Sequence, residues 1–420
     1  MRVFELADLR EGMVVGRDVV DRLGRRLIAA GVTLTERHLK AFRTWGIASV
    51  EVVTDDAEPS AVVDDARRQA VAAELAPLFR RVDVRHPVMA ALFATCVERR
   101  ARFTAADERR TVFSVAPDWD AAVLAAGAAS GGPAAREGSC GAWVRGLGTL
   151  PSLPDVYYRL TEVLDQPRSS ARDIASVIED DLALAARVLR LVNSSFYGFP
   201  GRIDAIPQAL SIIGTEEIKN LALATSVFSL FKGATEGYVT MRSFWGHSIA
   251  CGVAARVIAA QRRDAMLDSM FIGGLLHDIG ALTLCVHRGA GYTRAASMAM
   301  RDAGSLSQAE RHVFGYDHAE VGEALLDAWN LPLRVRKTVA HCEDPQRAPS
   351  GSTEAATVHV ANLVTVAMQL GSSGEVLVPP LAPQAWETLR LDPEALALIV
   401  AEVDRAFADV ARVILKDDAR

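Results

Sequence analysis

The chain has 420 residues, of which 50% are apolar, and its 46 basic and 52 acidic residues give a formal net charge of −6. This length predicts about two to three domains with a substantial core, and no overall basic field exists to attract nucleic acid. Charged residues interrupt the apolar runs before they reach the roughly 18 residues that a membrane span needs. The N-terminus lacks the continuous apolar segment of a signal peptide. We therefore expect a cytoplasmic protein without a signal peptide or a membrane span.

Residues 1–54 are predicted to form a small α+β domain. Short β-like runs occur at Met13–Val15, Arg26–Ile28 and Ser49–Val53, and a helix from Glu36 to Thr44 is predicted between the last two. A glycine follows this helix and permits the left-handed backbone that commonly ends one. We expect a docking or regulatory role for this domain and assign it no chemistry.

A connector and a linker are predicted after this domain. Residues 55–124 are rich in Ala, Leu and Arg, and helices are predicted over residues 61–81 and 87–102. Residues 125–142 consist mainly of Gly, Ala and Ser, and such side chains bury very little apolar surface. We therefore expect a flexible linker there.

Two helical subdomains are predicted next. Residues 143–235 form the first. A helix is predicted to begin between Ser169 and Asp173, where a hydroxyl can cap it and an acidic residue lies in its first turn. Further helices are predicted over Leu182–Val192 and Leu221–Phe231. Residues 236–370 form the second. Residues 371–420 should be C-terminal helices that pack back on the rest of the chain.

The number and spacing of the cysteines agree with a protein of a reducing compartment. Its five cysteines are odd in number, and their spacings do not fit a zinc knuckle: Cys96, Cys140, Cys251, Cys285 and Cys342. Free thiols are therefore expected. Cys342 directly follows His341 and could serve as a soft metal ligand, although a small buried side chain is the simpler interpretation.

Histidines mark the candidate site. Four of the nine in the chain, His247, His277, His318 and His341, fall at helix ends or on helix faces within 95 residues, and Asp278 directly follows His277. Imidazole nitrogens and a carboxylate form a mixed donor set suited to Mn, Fe, Zn or Mg. A single imidazole is readily satisfied by hydrogen bonds without a metal, so only the set predicts a shared polar cavity.

Several ordered motifs between Val144 and Leu370 resemble the HDOD module, an output-type relative of the HD phosphohydrolases found in bacterial signalling proteins. Besides the histidine strings, they are Leu150–Pro154, Asp180–Asp181 with Arg187–Ser194, Ile206–Leu210 and Leu221–Phe231. The resemblance implies a mainly α fold, with an all-α HD-like module of two helical subdomains. Residues 1–54 resemble the small domain that precedes HD-type signalling modules in some bacterial proteins.

This resemblance also implies a ligand set. In HD hydrolases the first histidine and the His-Asp pair bind metal, and these correspond to His247, His277 and Asp278. Two further histidines, which would be His318 and His341, bring in a second ion in some branches. A later aspartate of the family corresponds to Asn362, whose neutral amide oxygen is a poorer ligand for divalent cations. We therefore expect at most one divalent ion, Fe, Mn, Zn or Mg, bound weakly or not at all.

Other departures argue against a cyclic di-GMP phosphodiesterase. That branch carries a lysine after its His-Asp-x-Gly string, where this chain has Ala281, and a His-His-Glu string where this chain has His341–Glu343. We therefore predict a non-enzymatic signalling regulator that contacts other signalling proteins and could bind a nucleotide second messenger. The alternative is a metal-dependent phosphohydrolase or phosphodiesterase acting on a nucleotide. Short basic clusters lack interleaved aromatics, which argues against nucleic-acid binding, and the oligomeric state stays open.

Overall fold

The computed structural model describes most of the chain after residue 63 and shorter pieces before it. The described residues are 2–6, 9–15, 19–20, 26–28, 32–35, 38–39, 42, 49–53, 64–103, 139–147, 153–166, 169–194, 196–199, 201–231, 239–262, 267–302, 304–348 and 352–415. By its internal contacts the chain divides into two compact units, residues 1–64 with 198–202, and residues 65–197 with 203–420. Most of the predicted linker, residues 125–138, lies outside the described residues.

The first unit contains short antiparallel strands. They are β1 (Arg2–Glu5), β2 (Val14–Val15), β3 (Val19–Val20), β4 (Arg26–Ile28) and β5 (Ser49–Val53). One sheet has the order β1-β5-β2, and β3 pairs with β4. The three predicted β-like runs therefore contain strands, and residues 38, 39 and 42 of the predicted helix are helical. The side chains of Val15, Leu34 and Phe42 are fully buried in its core.

Regular structure in the described residues of the second unit is helical throughout, which confirms the predicted all-α module. The helices are α1 (Asp65–Leu75), α2 (Pro87–Ala101), α3 (Cys140–Gly146), α4 (Asp155–Asp165), α5 (Ala171–Glu179), α6 (Leu182–Val192), α7 (Ile206–Ile213), α8 (Thr215–Leu230), α9 (Met241–Gln261), α10 (Leu267–Leu276), α11 (Ile279–His287), α12 (Gly289–Arg301), α13 (Leu306–Phe314), α14 (His318–Ala328), α15 (Leu333–His341), α16 (Ser352–Ala367), α17 (Pro383–Leu389) and α18 (Ala395–Leu415). As predicted, a capping box starts α5, with Ser170 and Asp173 as its two members.

Helix α9 lies at the centre of the second unit. Its residues from Phe244 to Ala259 are buried, with Arg256 as the exception, and the helix packs against α10, α16 and α18. Small residues allow this close packing: a Cβ on Gly252 would lie 2.7 Å from the backbone oxygen of Phe271 in α10. The position of α9 is therefore set by close backbone contact with α10 and by burial of apolar side chains against α16 and α18.

The helices at the two ends of this unit pack on each other. Arg99 of α2 pairs with Asp404 of α18 at 2.8 Å and donates a hydrogen bond to the carbonyl oxygen of Met368 at 3.0 Å. Helix α18 also packs on α9, as expected for the C-terminal helices. The described part of the predicted connector and the C-terminal helices thus belong to one compact unit with the HD-like helices.

One segment of the described residues, Ser269–His287, has the length and mean hydropathy (1.6) of a helix that could cross a membrane. Sequence inspection alone did not single it out. It is 83% buried inside the protein and spans the junction of α10 and α11, where it carries His277 and Asp278. Burial of this kind is typical of a core helix.

Helices α11 and α14 approach each other at Gly280, two residues after Asp278. A Cβ at this position would lie 1.9 Å from the backbone oxygen of His318 and 2.5 Å from the backbone nitrogen of Gly322. No side chain can yield at such a contact, because both atoms belong to the backbone of α14. The glycine thus lets the His-Asp turn approach the start of α14.

We expect Gly280→Ala to force these two helices apart and to lower the free energy of unfolding by about 1–3 kcal/mol or more. The control is Gly289→Ala, because a Cβ on Gly289 meets nothing within 4 Å and alanine is the better helix former. Urea unfolding followed by circular dichroism gives both values. An unchanged midpoint for Gly280→Ala would show that the α11–α14 contact is looser than described.

Candidate metal centre

His277 and Asp278 occupy the turn between α10 and α11, and both are buried. The ring nitrogen Nδ1 of His277 donates a hydrogen bond to the carbonyl oxygen of Gly274 at 2.7 Å, since a carbonyl oxygen can only accept. When the imidazole is neutral, its lone pair is therefore on Nε2, the nitrogen next to Asp278. A hydrogen bond of this kind fixes the tautomer that a metal ligand needs.

His247 comes to the same point from the first turns of α9. Its Nε2 lies 3.3 Å from Nε2 of His277 and 3.4 Å from Oδ2 of Asp278, and Nε2 of His277 lies 3.1 Å from that same oxygen. Ligands about 2.1 Å from one ion are about 3.0–3.4 Å apart in octahedral or tetrahedral geometry. The separations observed among the described residues thus fit a single divalent ion.

His318 approaches Asp278 from the start of α14. Its Nδ1 donates a hydrogen bond to Oε2 of Glu310 at 2.6 Å, and its backbone N–H donates to the same oxygen at 2.8 Å. Its Nε2 has no hydrogen-bond partner and lies 3.7 Å from Oδ1 of Asp278. A carboxylate that holds the far nitrogen of a histidine is the usual support for a metal-ligating imidazole.

Asn362 lies on α16 beside His247, and it is 6% exposed. Its amide oxygen Oδ1 has no hydrogen-bond partner, although a buried amide oxygen normally finds one. The structure therefore brings together His247, His277, Asp278, His318 and Asn362. Their role in binding metal stays a prediction.

His341 is not brought into this group. It ends α15, and the charged groups that act on it are Lys337, Glu323, Arg347 and Asp344. Two residues later, Glu343 places Oε1 at 3.9 Å from Nε2 of His318. Along a helix, two residues that are two positions apart point in nearly opposite directions. Sequence spacing alone therefore does not tell which of His341 and Glu343 faces the cluster.

Two acidic residues of the site were missed by the sequence analysis. Glu310 is fully buried on α13, eight residues before His318, and Glu343 was considered only as a departure from the phosphodiesterase string. A glutamate on the buried face of an amphipathic helix such as α13 is the signal that could have identified Glu310, because a buried carboxylate requires a partner.

Burial and charge act against each other in this pocket. Burial disfavours the imidazolium of His277, but the charge of Asp278 outweighs it and raises the pKa of His277 well above its usual value. Burial also opposes ionisation of Asp278, yet the neighbouring histidines hold its pKa well below the usual range. Glu310 in the same way raises the pKa of His318 against burial, whereas burial lowers the pKa of His247. The neighbouring carboxylates, Asp278 for His277 and mainly Glu310 for His318, thus favour the protonated imidazoles against the cost of burial.

Comparison with known proteins places the site in a family context. Residues 150–345 match the HDOD domain. An uncharacterized protein of Treponema pallidum (strain Nichols) is 26% identical over 210 residues, 48% of this chain and 39% of that protein. The uncharacterized protein YuxH of Bacillus subtilis (strain 168) is 30% identical over 125 residues, 29% of this chain and 31% of that protein. The chain thus matches less than half the length of either relative.

Solved structures show the same fold. An HDOD domain protein of unknown function from Geobacter sulfurreducens has a TM-score of 0.55 and 25% identity, with 66% of this chain and 95% of that one covered. A proposed signal transduction protein from Marinobacter aquaeolei VT8 has a TM-score of 0.51 and 21% identity, with 73% and 68% covered. The resemblance inferred from the motifs is confirmed for residues 150–345, whereas that of residues 1–54 stays a prediction.

We expect divalent ions such as Mn²⁺ to bind more tightly as the pH rises. An imidazolium has no lone pair, so protons on His277 and His318 compete with the ion, and binding releases them. Because both pKa values are raised, the affinity should still increase above pH 7 and level off at higher pH. Isothermal titration of metal-free protein between about pH 6 and about pH 9 measures this. An affinity that does not change over this range would contradict the assignment, and Asp278→Asn should abolish binding at every pH.

Proposed function

Residues 150–345 of this chain are an HDOD domain, and on that premise we propose a cytoplasmic signalling regulator whose output module acts by contact with other signalling proteins, without hydrolysing a substrate. The observation that supports this most is Asn362. It lies beside His247 with a buried, unpartnered amide oxygen, where the HD hydrolases carry a carboxylate. Loss of that negative charge weakens the attraction for a divalent ion.

The burial of the cluster supports the same proposal. His247, His277, Asp278 and His318 are each at most 4% exposed. A phosphate ester would have to reach these atoms through the packed helices that surround them. A bound ion would supply positive charge that neutralises Asp278, and His247 and His277 would hold it between α9 and the α10–α11 turn. In this proposal the ion stabilises the core of the module.

Exposed apolar side chains on the first helical subdomain favour contact with a partner protein. In residues 143–235, Leu182 is 82% exposed, Ile212 is 45% exposed and Tyr158 is 41% exposed. Water contact with side chains of this size is unfavourable, so burying them against a partner releases free energy. We propose that this subdomain carries the contact with other signalling proteins.

The second candidate function is a metal-dependent phosphohydrolase acting on a nucleotide. It is favoured by the retained convergence of His247, His277 and Asp278, since such a set can hold an ion that activates water. The two functions differ in what they require of Asn362. A hydrolase must bind its ion tightly despite the neutral amide, whereas a signalling module needs no turnover.

We expect purified protein to contain at most one substoichiometric metal ion by elemental analysis and to release phosphate from nucleotides at the background rate. Asn362→Asp should restore a carboxylate and increase the affinity for Mn²⁺ about tenfold or more, which is about 1.4 kcal/mol. Asn330→Asp adds the same charge at an exposed position and is the matched control. Stoichiometric Fe or Mn, with turnover that Asp278→Ala abolishes, would establish the hydrolase instead.

The partner contact is tested with Leu182→Ser, which removes an exposed apolar side chain without changing the core. Binding of signalling proteins, recovered with the full chain from its native cell and identified by mass spectrometry, should fall several-fold. Leu398→Ser is the control, because Leu398 is 48% exposed on α18, outside the subdomain. Equal recovery with both variants would locate the contact elsewhere on the chain.

A further inference from the structure

Helix α3 begins inside the segment that the sequence predicted as a flexible linker. Ser139 caps it by accepting a hydrogen bond from the backbone N–H of Ala142 at 3.4 Å, and the helix has only 7 residues. A helix of this length does not persist alone in water, where even about 12–15 residues are marginal. The helical state of α3 therefore depends on the surface against which it packs.

Helix α3 packs beside α14 mainly through one aromatic and one aliphatic side chain. The ring of Trp143 stacks on that of Tyr316 with centroids 5.6 Å apart, and the guanidinium of Arg288 lies over the indole at 5.4 Å. Val144 is fully buried. Stacked rings and cation–π contacts are each of modest strength. An element held by so few side chains opens locally at a lower free energy than the rest of the protein.

The surface beneath Trp143 is held by contacts that do not involve α3. The ring of Tyr316 stacks on that of Phe314, with centroids 6.2 Å apart and planes inclined by 18°. Phe314 in turn packs against the backbone of α12, since a Cβ on Gly291 would lie 2.6 Å from its ring. Release of α3 would therefore leave an aromatic face beside the Arg288 guanidinium, and such a face accepts another planar ring.

Carboxylates lie near the first turn of α3. Burial raises the pKa of the Cys140 thiol to about 12. Negative charges add to this shift, and they come from Glu320, Asp317 and Glu323. Residues 139–147 contain no acidic side chain, so α3 matches the charge of the surface that it covers. An acidic segment in the same place would be repelled.

We propose that α3 is a releasable internal ligand of the surface formed by Tyr316, Arg288 and α14, and that its release opens a docking site for a helical segment of a partner protein. The segment that fits carries a tryptophan and has no acidic residue in its first turn. This inference rests on the proposed contact with other signalling proteins and adds a second contact, on the HD-like subdomain. Until it is released, α3 excludes the partner, because an intramolecular ligand has a high effective concentration.

The probe is a synthetic peptide with the sequence of residues 139–147, added to the full chain and followed by saturation-transfer NMR. Trp143→Ala weakens the docking of α3, so this variant should bind the peptide more tightly than the wild type by about tenfold or more, because more molecules present an empty surface. Arg145→Ala changes an exposed side chain of the same helix and should behave as the wild type. A peptide with alanine in place of the tryptophan should not bind.

Hydrogen exchange of the wild type tests the release of α3 without any variant. The backbone N–H of Trp143 donates to the carbonyl oxygen of Ser139 at 3.0 Å, and this bond is lost when α3 unfolds from the surface. Amides of α3 should therefore exchange faster than those of α14 by about a hundredfold or more. Equal rates would overturn the proposal, since α3 would then open only when α14 does.

The outcomes separate this inference from the function on which it rests. Equal peptide affinities for the wild type and Trp143→Ala, or no binding to Trp143→Ala at about 1 mM peptide, would overturn the docking surface. A gain that persists when Tyr316→Ala is added to Trp143→Ala would place the peptide elsewhere and would also overturn it. None of these results changes the recovery of signalling proteins with Leu182→Ser, which tests the proposed function by itself.

Discussion

The carboxylate of Asp278 is the interaction on which the rest of the site depends. It is buried in the turn between α10 and α11, and desolvation would make its charge unfavourable without compensation. His247 and His277 approach one of its oxygens, and His318 approaches the other. The helices that carry these histidines must therefore converge, and Gly280 permits the closest of these approaches by removing a side chain from the α11–α14 contact. Electrostatics and backbone packing thus favour the same arrangement.

Much of the helical fold and part of the site could be predicted from the sequence. Helix α6 has the predicted bounds, because its capping aspartate and apolar periodicity are local signals. His247, His277, Asp278 and His318 were expected to lie near one another, and their side chains do approach Asp278, whereas their role in binding metal stays a prediction. His341 was expected there too, but Glu343 occupies that side, since the direction of a side chain at a helix end depends on packing. The position of Glu310 on the buried face of α13 indicates that its carboxylate has a partner, but the identity of that partner, His318, depends on the turn between α13 and α14.

The pocket combines features of two kinds of protein. His277 and His318 keep the orientation and tautomer that metal ligands need, because Gly274 and Glu310 accept hydrogen bonds from their far nitrogens. Asn362, however, contributes a neutral oxygen where the resemblance implies a carboxylate, and burial closes the cluster to bulky molecules. Retained geometry with reduced charge is compatible with a structural or regulatory ion. It is less compatible with a reaction that requires a strongly polarised water molecule.

The burial of α9 has a consequence for how this module can be divided. The segment that matches the family ends at residue 345, but α9 is covered by α16 and α18, and α2 packs on both of these helices. A fragment limited to residues 150–345 would therefore expose a long apolar surface to water and would be prone to aggregate. In this protein the segment that matches the family is thus shorter than the compact unit to which its helices belong.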